Sequence, residues 1–157
     1  MNLFFNQKLR LFGIRGATGC ENTKESIAKN VVEMCSKLFS ENKVLPENIV
    51  SIQFTSTNDL TAMNPAAALR RGGDCGIDVS SVPLFCSQEP EIEGSPEKMI
   101  RILVTAYLAS NSKVKPVYIN GGEKLRPDFA KKIKKSLKTF KKNIKRLLTV
   151  FFQFANI

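Results

Sequence analysis

The chain has 157 residues, 43% of them hydrophobic, which is enough for one domain with its own core. No apolar run reaches the roughly 18 residues that a membrane span needs, and residues 1–11 lack the pattern of a secretory signal, so we expect a cytoplasmic protein. The absence of histidine excludes His-based catalytic triads and His-ligated metal sites.

The positive charge is concentrated in one segment. The net charge is +10, yet residues 129–157 carry nine lysines and arginines and no acidic residue, so residues 1–128 have a net charge of only +1. We therefore divide the chain into a domain, 1–128, and a basic amphipathic extension, 129–157. The four cysteines are widely spaced, and we expect reduced thiols rather than a disulfide framework.

The first predicted elements are a strand and a helix. Residues 9–16 predict a first strand that ends in a glycine turn. Asn22 and Glu25 then form a capping-box pattern, and the apolar spacing behind them predicts a helix that ends near Asn42.

The second half of the pattern is mostly strand. Residues 49–55 predict a strand with Val50, Ile52 and Phe54 on one face. The remaining expected elements are a short helix at 66–70, a mobile loop at 72–81, and strands at 82–86, 99–107 and 114–120. The order β-α-β-α-β-β-β predicts an α+β fold.

Two arginines lie within apolar strands, where a guanidinium is costly unless it meets an anion. Arg15 and Arg101 therefore have three interpretations: a structural ion pair with Asp or Glu, a strand edge open to water, or a site for an anionic ligand. Arg70 and Arg126 lie at element ends, where a solvated charge is normal.

Three other residues are candidates with simple structural explanations. Without histidine, Cys86 has no conventional base and is best explained as a small buried hydrophobe. Glu89 could form a salt bridge with one of the arginines, and Tyr118 alternates as a sheet residue. The sequence shows neither metal-ligand spacing nor a phosphate-binding glycine motif, so we expect no cofactor.

Several segments resemble the motifs of one family, the Bacillus-type, non-helical chorismate mutases. These segments are Gly-Ile-Arg-Gly-Ala-Thr at 13–18 and the blocks at 58–70, 82–89, 94–101, 117–118 and 125–128, in the order and near the spacing of the family. The resemblance covers about residues 11–128 and implies a mixed β-sheet packed with helices, assembled as a pseudo α/β-barrel homotrimer with active sites between subunits.

The resemblance also implies an activity and its residues. The activity is that of an isomerase of the shikimate pathway, which converts chorismate to prephenate for phenylalanine and tyrosine biosynthesis. Arg101 matches the catalytic arginine at the ether oxygen, and Glu89 and Cys86 match the pair near the ring hydroxyl. The matched substrate-binding residues are Arg15 and Tyr118, the adjacent subunit's wall residues (Ala66, Arg70, Leu84 and Phe85), and a mobile closing segment with Leu125 and Arg126.

This residue set suits such a reaction. The rearrangement is intramolecular, so no proton moves and a site without histidine is no handicap. Arginines pair with carboxylates through a planar fork that stays charged. A fixed cation at the ether oxygen favours the transition state because negative charge grows there.

The sequence departs from the family in four places. Asn64 stands where Phe is common, and Ala67 stands where a basic residue is common. The loop between Arg70 and Cys86 and the segment after Asp128 are both longer than in common members. Asn64 and Ala67 leave one alternative function open, a non-catalytic ligand-binding trimer.

A second alternative is a nucleic-acid or membrane binder driven by the basic extension. Residues 1–128 show no RNA-binding motif, and we expect no nucleic-acid partner. The extension itself has three interpretations: a helix docked on the trimer, an anionic-surface binder, or a poorly selected segment.

Overall fold

The computed structural model describes residues 8–71, 73–128 and 144, and it confirms the predicted α+β fold. Among these residues, no helix has the length and apolarity to cross a membrane. The elements are β1 (Leu9–Gly19), α1 (Lys24–Asn42), β2 (Ile49–Ser56), α2 (Pro65–Arg71), β3 (Leu84–Gln88), β4 (Met99–Ala109) and β5 (Val117–Ile119), with 3₁₀ turns at Pro46–Asn48 and Gly122–Leu125.

The strands form one five-stranded mixed sheet in the order β3-β2-β4-β1-β5. The central strand β4 runs antiparallel to β1 and β2, while the edge strands β3 and β5 run parallel to their neighbours. Ile14, Val104 and Ile52 lie side by side across the three central strands and are fully buried in the core with α1 and α2. Side chains alternate, so the other face of these strands, here called the outer face, carries Arg15 and Leu103.

The start of α1 differs from the capping-box prediction by one residue. Thr23, rather than Asn22, is the N-cap, and its hydroxyl accepts from the Ser26 N–H at 3.1 Å. The Asn22 carboxamide oxygen instead accepts the N–H groups of Thr61 and Ala62, at 2.9 and 2.8 Å. The prediction of Asn22 as the cap was wrong because a polar side chain before a helix can instead bind the backbone of a distant loop.

The predicted face of β2 is wrong at one position. Ile52 and Phe54 are fully buried as expected, but Val50 is exposed. The pairing with β4 shifts between Ile49 and Ser51, and this bulge places one extra residue in β2. Strict alternation cannot anticipate a bulge, which turns Val50 away from the core.

Other predicted boundaries move by a few residues. β3 begins at Leu84, and β5 shrinks to Val117–Ile119 because only Gly16–Thr18 of β1 pair with it. The expected loop at 72–81 has no helix or strand in its described part, but Cys75 and Val79 are buried in the core; its mobility stays a prediction.

By contacts, the chain divides into two units, Met1–Gly122 and Glu123–Ile157. Since residues 129–143 and 145–157 lie outside the described residues, the extension's amphipathic helix and the domain boundary at 128 stay predictions. All four cysteines are free thiols in this structure.

Close approach of β1 and β5 depends on Gly16. A Cβ at this position would lie 2.9 Å from the Val117 carbonyl oxygen and 2.9 Å from Ile102 Cγ2. Real Cβ atoms do not come so near to backbone atoms, so glycine is what allows β5 to pair with β1 and carry Tyr118 on the sheet.

We therefore predict that Gly16→Ala lowers the free energy of unfolding by about 1–3 kcal/mol, the usual cost of overpacking. Gly13→Ala is the matched control, because its Cβ would meet only the Leu103 Cδ1 methyl at 3.3 Å. That change should be neutral or stabilising by up to about 1 kcal/mol. Urea unfolding at one protein concentration measures both variants, and equal losses would contradict this account of Gly16.

Candidate active site

One row of residues crosses the whole sheet on its outer face. Arg101 of β4 is the Cα partner of Thr55 in β2 and of Ala17 in β1. Thr55 in turn pairs with Ser87 of β3, and Ala17 pairs with Tyr118 of β5. Because directly paired residues project from the same face, Arg101 and Tyr118 share the outer face.

The next row adds a second guanidinium. Arg15 pairs with Leu103, which lies two residues along β4 from Arg101. Arg15 is therefore a diagonal cross-strand neighbour of Arg101, at a spacing of roughly 7–8 Å that long side chains can span. Arg15 is exposed and Tyr118 is half-buried. The outer face thus brings Arg15, Arg101 and Tyr118 together.

Glu89 completes this group from the end of β3. Its Oε2 accepts a hydrogen bond from Arg101 Nη1, and its Oε1 accepts one from the Thr55 hydroxyl. The Glu89 N–H also donates to the Ser56 carbonyl oxygen at 2.9 Å, which fixes the backbone beside β2. The ion pair that the sequence left open for Glu89 is therefore present.

The ion pair leaves much of Arg101 available. The Glu89 side chain is only 10% exposed, whereas the Arg101 side chain is 36% exposed. Among the residues that the structure describes, Glu89 is the hydrogen-bond partner of the guanidinium, through one nitrogen. A guanidinium has several further N–H donors. Arg101 is thus anchored by a carboxylate and still able to bind an anion on the outer face.

The turn before β4 sets the position of Arg101. Lys98 adopts a left-handed conformation with φ 56°, and its N–H donates to Asp59 Oδ2 at 2.9 Å. Its ammonium donates a hydrogen bond to the Glu21 carboxylate at 2.6 Å, and this bond raises the pKa of Lys98. Asp59 and Glu21 therefore hold the start of β4 from two different loops.

The other matched site residues lie on β3 and α2. Cys86 pairs with the buried Phe54 and so projects from the core face of β3, opposite to Arg101. Burial raises the pKa of the Cys86 thiol, which is therefore neutral near pH 7. The structure does not bring Cys86 to the outer face beside Arg101 within one chain.

The four matched wall residues lie in the same region. Leu84 is half-buried, Phe85 is 65% exposed, Ala66 is buried and Arg70 is exposed at the end of α2.

Asn64, a departure from the family pattern, has a structural role. Its Oδ1 accepts the N–H groups of Ala66 at 2.8 Å and Ala67 at 3.3 Å, and its carbonyl oxygen accepts from Ala68 at 2.9 Å. Asn64 is therefore the N-cap of α2. A phenylalanine could not accept the Ala66 and Ala67 N–H groups, because its side chain has no oxygen.

Leu125 and Arg126 belong to the second unit. Leu125 is the last residue of the 3₁₀ turn Gly122–Leu125, and Arg126 follows it. Arg126 donates through Nε and Nη2 to the Asp128 carboxylate, at 3.0 and 2.8 Å. Arg126, at an element end, therefore forms a local ion pair with Asp128.

A cavity of about 440 Å³ adjoins Glu89 but does not suit an anion. It is lined by residues 57–59 and 89–97. Besides Glu89, its walls carry the carboxylates of Asp59, Glu91, Glu93 and Glu97. Like charges at this density repel an anionic ligand, so the outer face around Arg101 and Arg15 is the better candidate.

Sequence reasoning missed Thr55 and Asp59 as parts of this site. The alternation of β2 places Thr55 on the outer face, but only the β2–β4 register shows that it stands beside Arg101. Asp59 lies in a matched motif, yet its bond to the Lys98 N–H joins residues 39 positions apart.

Comparisons with known proteins agree with these motifs. The model of the family "chorismate mutase type I" matches residues 11–129. The chain is 33% identical over 109 residues to chorismate mutase AroH of Bacillus subtilis (strain 168), covering 68% of this chain and 83% of that protein. It is 37% identical over 93 residues to chorismate mutase AroH of Thermus thermophilus, covering 58% and 72%.

A solved structure has a similar fold. The chorismate mutase from Clostridium thermocellum matches with a TM-score of 0.63 and 33% sequence identity, over 71% of this chain and 97% of that one. The match therefore extends over nearly the whole of the solved chain.

The cap at Asn64 makes a prediction. Asn64→Ala should lower the free energy of unfolding by about 1 kcal/mol, the usual loss for an N-cap, because two N–H groups of α2 lose their acceptor. Asn64→Asp keeps the acceptor and should remain close to the parent. Thermal unfolding of both variants measures the difference. If Asn64→Ala is as stable as Asn64→Asp, the side chain does not act as a cap.

Proposed function

Since the chain belongs to the chorismate mutase type I family, we propose that it isomerises chorismate to prephenate on the outer face of its sheet, with Arg101 and Glu89 at the centre of the site. The chain is a chorismate mutase, and therefore an isomerase, by family. The observation that supports this location is the Arg101 guanidinium, anchored by Glu89 and still 36% exposed.

Charge placement is the catalytic device that we propose. As the C–O bond of chorismate breaks, negative charge grows on the ether oxygen, and a cation held there binds the transition state more tightly than the ground state. Arg101 supplies this cation, and Glu89 orients it while its own carboxylate faces the ring hydroxyl. No proton transfer is needed, which agrees with a neutral thiol at Cys86.

Conformer selection is the second part of the mechanism. Chorismate is a dicarboxylate that must be folded so that its two reacting carbons meet. Arg15 lies one row from Arg101, and Tyr118 lies in the same row as Arg101. These groups hold the substrate in its compact form, and this positioning lowers the entropic part of the barrier.

The rest of the site comes from a second copy of the chain. Exposed apolar side chains cover much of the outer face: Leu9, Leu11, Leu103 and Tyr107 are 49%, 48%, 36% and 44% exposed. An apolar patch on a sheet favours association. We propose a homotrimer in which the β3–α2 region of the neighbour covers this face.

The residues that this neighbour brings belong to its β3–α2 region. They are Cys86, Leu84, Phe85, Ala66 and Arg70. Leu125 and Arg126 then close over the bound substrate. A cytoplasmic location in aromatic amino-acid biosynthesis completes the proposal.

The non-catalytic alternative has little support in the described residues. It depended on Asn64 and Ala67, and the N-cap bonds of Asn64 explain that residue without reference to the substrate. The alternative of a nucleic-acid or membrane binder depends on residues 129–157, which lie almost wholly outside the described ranges.

Mixed-subunit kinetics test both the activity and the shared site. The purified parent should convert chorismate to prephenate in the presence of EDTA. Arg101→Ala and Arg70→Ala should each be nearly inactive alone, because each removes one side of every site. After the two variants are unfolded and reassembled together, some sites combine two intact sides, so activity should partly return.

Each result is read against assembly measured by light scattering. A parent trimer without prephenate formation above the uncatalysed rate would reject the proposed function. An active monomer, or mixed trimers with no recovered activity, would reject the shared site while leaving the activity intact.

A further inference from the structure

We propose that Thr55 is a positioning residue that keeps Glu89 from closing a two-point ion pair with Arg101. The inference rests on the proposed function in one respect, that the remaining donors of Arg101 act on the substrate. It assigns to the β2 strand a part in catalysis that none of the motif matches supplies.

The two oxygens of Glu89 have different partners. Oε2 accepts from Arg101 Nη1, and Oε1 accepts from the Thr55 hydroxyl. Arginine and carboxylate groups frequently pair through two parallel N–H···O bonds. Here the guanidinium uses one nitrogen, and the second carboxylate oxygen is bound to a neutral hydroxyl instead.

The register explains why Thr55 can do this. Thr55 is the direct cross-strand partner of Arg101, so its side chain stands beside the guanidinium on the same face. The Glu89 backbone is fixed by its bond to the Ser56 carbonyl oxygen. The side-chain torsions of Glu89 are therefore the freedom that remains, and the bond from the Thr55 hydroxyl limits the orientation of the carboxylate.

The consequence concerns charge. A carboxylate that swings both oxygens onto Arg101 occupies a second N–H donor and screens more of the positive charge. The site would then hold an intact ion pair and a weakened cation. With Oε1 bound to the Thr55 hydroxyl, Glu89 anchors Arg101 through one nitrogen and leaves the other N–H donors of the guanidinium for the substrate.

Thr55→Val removes the hydroxyl and keeps the β-branched shape. We expect kcat for prephenate formation to fall about 10- to 100-fold, the range for misplaced catalytic groups, with a smaller change in KM. Thr55→Ser keeps the hydroxyl donor, and its kcat should stay within about threefold of that of the parent.

Thr105→Val is the matched control. Thr105 lies on the outer face of β4 and is paired with Ser51 and Gly13. The row of Leu103 separates it from the row that contains Thr55 and Arg101. The same chemical change there should leave kcat within about threefold of the parent. A loss in Thr105→Val equal to that in Thr55→Val would mean that any such change on this face disturbs the protein, and it would overturn the positioning role.

Crystal structures of the parent and of Thr55→Val give a readout that does not depend on activity. The inference expects one nitrogen of Arg101 on Glu89 in the parent and two in the variant. A variant that keeps the single contact, or that keeps the parent kcat, overturns the inference. If the parent itself lacks turnover, the proposed function fails, and the pairing seen in the two crystal structures still decides the role of Thr55.

Discussion

The structure depends on holding one guanidinium on the face of a sheet without neutralising it. A charge in an apolar strand is costly unless an anion is near, and Glu89 supplies that anion to Arg101. If both carboxylate oxygens bound the guanidinium, less of its positive charge and fewer of its N–H donors would remain for a ligand. The protein resolves this conflict with an ion pair that is nearly buried on the carboxylate side and open on the guanidinium side.

The rest of the fold places that pair. The helices cover one face with a core that includes Ile14, Ile52 and Val104, and this leaves the opposite face for Arg101 and Arg15. The register across the sheet then brings Thr55 and Tyr118 into the row of Arg101, although they lie 63 residues apart in the sequence. The bonds of Lys98 to Asp59 and Glu21 fix where β4 begins.

Sequence reasoning predicted what depends on local pattern. The alternation around Arg101 and the helical spacing before Asn42 were sufficient for the order of elements and for the α+β fold. It was wrong at Asn22 and Val50 because a distant loop takes up the first side chain and a bulge turns the second. The same limit applies to Thr55: its face follows from alternation, but its contact with Glu89 follows from strand register, which no local signal encodes.

The most direct test of the account separates the charge of Arg101 from its shape. Citrulline is nearly isosteric with arginine but neutral, so Arg101→citrulline removes the cation and keeps N–H donors in place. If the cation stabilises the breaking C–O bond, kcat should fall by about 10³-fold or more while the variant still assembles and melts cooperatively. A folded citrulline variant with kcat within about threefold of the parent would contradict the electrostatic role of Arg101.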